Sequence, residues 1–196
     1  MARAQEARTA GHVKPLNDLI QRIESEQGVA NLPMIDPTFG GVNATVLFVL
    51  KAPEGDATPD PSRPQLLSLD NDDPTAADLF QVTQAAGLDR ALITPWNISP
   101  FPPKAGGDPR VSDVRIANRY HRELFALLPR LRTIVLLGKP ARELWPEVPF
   151  RGDATILRCG MPSSWNRPNS AGVSRRPEAW SEIVDTMHAA AHSARG

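Results

Sequence analysis

The sequence predicts an α/β fold, a three-layer α/β/α sandwich around a central, mainly parallel, four-stranded sheet. Two apolar runs without polar alternation, VLFVL at 46–50 and TIVLL at 133–137, suit strands buried on both faces, as parallel sheets demand. Stretches with helical spacing of apolar residues alternate with such runs, so each strand pair is joined by a helix-length crossover. The connections after the strands are long and proline-rich, whereas the returns from helix to strand are mostly short.

Taken in order, residues 1–11 read as a polar, frayed start. Leu16, Leu19, Ile20 and Ile23 then recur at helical spacing from Val13 to about Gln27, with Gly28 suited to the C-cap. NLPMIDPTFGG reads as irregular and leads into a strand from Ala44. After the turn Lys51–Asp56 and a Pro/Asp-rich loop, Asp73 is a good N-cap with Pro74 in the first helical position; that helix ends near Gly87. A second strand, Ala91–Thr94, runs into the long loop PWNISPFPPKAGGDPR. Ser112 suits the cap of a helix whose Val114, Ala117, Tyr120, Leu124 and Leu127 share a face. Thr133–Leu137 is the third strand, and Gly138-Lys139-Pro140 opens a short helix through Trp145. Thr155–Arg158 is the fourth strand, and an amphipathic helix from Pro177 carries Trp180, Ile183, Val184 and Met187.

The 196 residues suit one structural domain, with 1–43 an N-terminal helix and lead-in and 44–196 the α/β domain. The 22 basic residues balance 22 acidic ones, so no global field points to nucleic acid or membrane, although a local basic face remains open to the chain. The lone Cys159 excludes an internal disulfide framework and a four-cysteine zinc or iron–sulfur site. His121, His188 and His192 fall on helices, where surface or cap roles are the expectation, and no cluster has metal-ligand spacing; neither metal nor cofactor is expected. No apolar stretch approaches the roughly 20 residues that span a bilayer, and the N-terminus lacks the apolar core of a secretory signal. A cytoplasmic monomer with no membrane partner is the expectation.

In parallel sheets, ligands bind beyond the carboxyl ends of the strands. The loops at 51–70, 95–110 and 159–175 all follow strands and so open on one edge of the sheet, which marks a single functional face.

On that face five stretches in order, FVLKAPEGD, LDNDDPTAADLF, PWNISPF, VLLGKPARELW and CGMPSSWNRP, resemble motifs of the uracil-DNA glycosylase superfamily, particularly its small actinobacterial-type members. The resemblance covers roughly residues 44–187. It implies a uracil-DNA glycosylase-like fold for 44–196, and an enzyme that extrudes a nucleotide from DNA and cleaves its glycosidic bond, with single- or double-stranded DNA carrying an altered base as partner. Asn97 aligns with the asparagine that reads the base; its amide offers the donor and acceptor that a pyrimidine's imide edge requires. Ala52 and Pro53 fall in the turn beside the base.

Three positions depart from the family pattern. Lys51 stands where relatives have Glu, which leaves the acidic, water-orienting role to Glu54 or Asp56; Lys51 itself suits either an amine nucleophile or a solvated phosphate contact. Met161 stands where relatives place the histidine that stabilises the departing base, and methionine has no strong donor. Leu66 is the nearest match to the base-stacking phenylalanine. Ser163, Ser164, Lys139 and Arg167 suit phosphate contacts, with Arg175 and Arg176 in the same region, and Trp165 suits a wedge or a half-buried loop position. These departures point to a damaged or modified base rather than ordinary uracil. A weak uracil enzyme and a non-catalytic DNA-binding member are the alternatives.

Overall fold

The computed structural model describes residues 2–53, 65–104, 106–163, 166–169 and 174–195. Along the chain its elements are α1 (Ala2–Thr9), α2 (Lys14–Gln27), β1 (Met34–Ile35), β2 (Val46–Leu50), β3 (Leu66–Leu67), α3 (Pro74–Ala85), β4 (Ile93–Asn97), α4 (Val111–Ala126), β5 (Thr133–Leu137), α5 (Gly138–Leu144), β6 (Thr155–Cys159) and α6 (Pro177–Arg195). Short 3-10 turns at Gly41–Asn43, Arg90–Leu92 and Trp145–Glu147 complete the set.

β4, β2, β5 and β6 lie in that order in a four-stranded parallel sheet, flanked by helices as the alternating pattern predicts. Burial explains the run VLFVL: β2 is central, and its first four residues are buried. Parallel pairing places Phe48 beside Pro95 and Leu50 beside Asn97. Alternate residues of a strand share a face, so these four side chains form one patch at the carboxyl end of the sheet. α3 packs with α6, and α2 with α4.

Several boundaries differ from the sequence reading. The second strand runs to Asn97 rather than ending at Thr94. Pro95 masks it in sequence, but β4 is an edge strand, where a missing N–H costs no ladder bond. Residues 2–9 form a helix, not a frayed start: Ala4 and Ala7 are buried against Met34, and Arg3 reaches Asp36 at 3.3 Å and Asp70 at 2.8 Å. The stretch read as irregular holds β1, which pairs in parallel with β3 as a separate two-stranded sheet. Ser112 lies inside α4; the start of that helix is closed by Asp113, whose carboxylate accepts the Arg110 N–H at 2.8 Å.

The lead-in is joined tightly to the sheet. A Cβ on Gly40 would lie 2.1 Å from the Ala91 carbonyl oxygen, so the two backbones meet where only glycine fits. Val13, Leu16, Ile20 and Ile23 belong to the same buried core as the strands.

Candidate functional site

Beyond the carboxyl ends of the strands lies a cavity of about 720 Å3. Its walls come from the end of β2 and the turn after it, the segment from Gln65 into α3, the end of β4, the start of α5 and the stretch after β6. Lys51, Ala52, Pro53, Leu66, Asn97, Lys139 and Met161, which the sequence spreads over more than half the chain, all line it. A second hollow of about 510 Å3, bordered by Arg8, Glu24 and Asn31, contains none of them.

Asn97 is the last residue of β4 and is 6 % exposed. Its side-chain amide makes no hydrogen bond with any described residue. An amide this buried ordinarily finds a partner inside the protein; here it is left for whatever enters the cavity. Behind it stands His121 of α4, whose ring meets the backbone of Asn97 and Ile98 and, through Nδ1, the Asn118 Oδ1 at 3.2 Å. Asn118 in turn donates to the Glu147 carbonyl at 2.9 Å, which fixes the orientation of its amide. His121 is 2 % exposed, and burial depresses its pKa to about 4 despite the backbone groups that favour the proton. The surface or cap role expected of this histidine is thus corrected: it is a neutral core group against the end of β4.

The two leading loops are joined to each other. Ile98 N–H donates to the Leu50 carbonyl at 2.9 Å and Ser99 N–H to the Lys51 carbonyl at 3.1 Å, continuing the ladder past the ends of β2 and β4. The Lys51 Nζ then lies 3.4 Å from the carboxylate of Asp108, which does not itself line the cavity.

Facing them, Gly138 opens α5 with φ +82°, and a Cβ there would sit 3.4 Å from the Met161 Cβ. Both the backbone conformation and the close approach of Met161 call for glycine. Met161 is held by Asn166, whose side chain donates to its carbonyl at 2.9 Å. Ser163 does not line the cavity; its carbonyl accepts the N–H groups of Asn166 and Arg167 and closes a turn. Arg167 is also outside the cavity, and its guanidinium lies 2.8 Å from Asp78, a fully buried residue of α3. A phosphate contact by Arg167 would have to compete with this internal pair. Lys139 is exposed and lies 3.9 Å from Glu143, one turn along α5. Glu54, Asp56, Ser164 and Trp165 lie outside the described residues.

Among the described residues, the buried part of the cavity wall is apolar apart from Asn97: Phe39, Phe48, Leu69, Leu79, Pro95 and Leu137 are all buried there. The other polar side chains along the wall are exposed or half-exposed, and several already have partners. Asp73 accepts the Ala76 N–H at 2.9 Å, Asn71 donates to the Leu66 carbonyl at 2.9 Å, and Ser68 accepts the Asp70 N–H at 3.1 Å. The Cys159 thiol is buried, its pKa pushed up to about 12, and offers no reactive thiolate.

The sequence assigns no site role to His121, Asp108, Asp78 or Gly138, although Asp78 and Gly138 lie within two of the quoted motifs. His121 carried a signal: Val114, Ala117, His121 and Leu124 follow the spacing of one helix face. No protein-family model matches the chain, and no curated protein sequence matches it.

Proposed function

We propose that the protein is a DNA glycosylase-like enzyme of the uracil-DNA glycosylase superfamily, which takes an altered base out of DNA into this cavity and cleaves its N-glycosidic bond. The observation that carries the reading is Asn97, an unpartnered amide nine-tenths buried at the carboxyl end of an edge strand and lining the cavity. Its donor and acceptor match one edge of a pyrimidine. The cavity volume lies in the range of about 300–1,000 Å3 typical of small-molecule sites, ample for a flipped base. In this reading the partner is DNA, single- or double-stranded, and the protein acts as a cytoplasmic monomer; among the described residues no helix is long and apolar enough to cross a membrane.

The chemistry follows from charge. As the bond between the sugar carbon and the base nitrogen breaks, its electron pair leaves with the base and the sugar becomes cationic; a water oxygen then bonds the sugar carbon and gives up a proton. Glu54 or Asp56 orients that water. Lys51, held at Asp108, serves the DNA backbone rather than attacking the sugar, since attack needs a neutral amine freed from its acidic partner.

Met161 favours a second reading. With no donor at that position, the charge on a departing base goes unstabilised there, as suits a member that binds an altered base without cutting it. Incubation with oligonucleotides carrying different altered bases, followed by alkaline strand scission, separates the two. Scission at one modified position supports the enzyme, and tight binding without scission supports the second reading. Neither binding nor scission on any substrate overturns both.

A further inference from the structure

Resting on the base-pocket reading, we infer that His121 is a positioning residue for that pocket: its ring fixes the backbone at Asn97, and through it the angle at which the Asn97 amide meets a base. Asn97 does not hold that angle by itself. Its amide makes no hydrogen bond with any described residue, so its direction is set by the backbone that carries it. That backbone lies at the end of β4, an edge strand with β2 as its one strand neighbour among the described residues. β2 supports it through the Ile98 N–H, which donates to the Leu50 carbonyl at 2.9 Å. Further support comes from the His121 ring, which meets the backbone of both Asn97 and Ile98. Such support matters because a binding group must be held to within about 0.5 Å and 10–20° of its productive geometry.

The ring is itself held. Asn118, one turn before it on α4, donates its amide N–H to the Glu147 carbonyl at 2.9 Å, which leaves its Oδ1 to accept from His121 Nδ1 at 3.2 Å. Glu147 belongs to the turn Trp145–Glu147 that follows α5. A line of contacts thus runs from that turn through Asn118 and His121 to residues 97 and 98, and ends at the cavity. Packing alone gives no reason for it. Val114, Ala117 and Leu124 make the same face of α4 apolar, and an apolar side chain at 121 would fill the space without the cost of burying a polar ring. A buried polar group with its partners in place rigidifies what it touches. Here that is the backbone of the residue that reads the base.

The test uses the full chain and two single-stranded oligonucleotides of one sequence, carrying a single uracil or a single N3-methyluracil, with binding followed by fluorescence anisotropy. The two bases differ only at the ring N–H that the Asn97 amide would accept, and a single strand takes base pairing out of the comparison. Wild type should prefer uracil by about tenfold, the cost of leaving one buried acceptor unpaired. His121→Phe keeps the bulk of the ring and loses its hydrogen bonds. It should bring the two affinities within about twofold by weakening uracil alone, and His121→Gln, which still donates, should restore most of the preference. An unchanged ratio in His121→Phe, or a loss of affinity shared equally by both oligonucleotides, overturns the inference and leaves the base-pocket reading standing. Equal binding of the two by wild type overturns Asn97 as the base reader, and the base-pocket reading with it. If His121→Phe fails to fold, Asn118→Leu, at a half-buried position, decides: it releases the ring and should cut the preference about threefold, and an unchanged preference overturns the inference.

Discussion

The Arg167 guanidinium lies 2.8 Å from the carboxylate of Asp78, a side chain of α3 with no exposure to solvent. The pair ties the stretch after β6, which brings Met161 to the cavity, to the helix whose first turn forms the opposite wall. Removing one partner of a buried pair strands the other charge, at about 3–5 kcal/mol when both are buried. Because Arg167 is 39 % exposed, solvent screens part of that loss, and Arg167→Ala should cost about 2 kcal/mol in urea unfolding. A cost no larger than that of Arg130→Ala, an exposed site, would mean the pair is not holding the loop.

Acid should weaken the fold through His121. Its pKa is about 4 in the folded protein against an ordinary 6.5, so between those values the unfolded chain binds the extra proton. The contribution is fully present above about pH 6.5 and is lost as pH falls toward 4, reaching about 3 kcal/mol at most. His121→Gln, which cannot titrate, should flatten the stability profile in that window. An unchanged profile would assign the acid sensitivity to other groups.

Asn97→Ala should leave stability within about 1 kcal/mol, because the lost amide makes no internal hydrogen bond. Binding of modified oligonucleotides should fall to the level of unmodified DNA. A variant that keeps wild-type discrimination would show that the base is read by another group.

Lys51 should give no covalent imine with DNA after base loss, since its amine is paired with Asp108. Borohydride trapping reads this directly. An adduct that forms with wild type and disappears in Lys51→Ala would instead establish a lyase.

Gly138→Ala should destabilise by about 1–2 kcal/mol, from φ +82° and the crowding at Met161. A neutral result in thermal unfolding would indicate that α5 starts in a relaxed conformation.

The sheet was legible because buried parallel strands are written as continuous apolar runs, and β5 is read at both of its ends. The caps at Gly28 and Asp73 were legible for their backbone chemistry. α1 was not, because its buried side chains are only Ala4 and Ala7 in an otherwise charged stretch. β1 and β3, two residues each, are too short for any period to register. Asn97 was expected in a loop because Pro95 hid the strand, and edge position is a property of topology rather than of local sequence. The cavity gathered seven expected residues, yet the partners of Lys51 and Arg167 were invisible, since both lie on other elements.

The order β4-β2-β5-β6 has a consequence for synthesis on the ribosome. The centre of the sheet is made first, at Val46–Leu50, while its two neighbours begin only at Ile93 and Thr133. Until the second has emerged, VLFVL is a nascent strand with an open apolar edge, a template for pairing with other chains. Such non-local pairing folds slowly. The interval between translating residue 50 and residue 137 is therefore when this chain most needs a chaperone, and slowing elongation there should raise its aggregation rather than its yield.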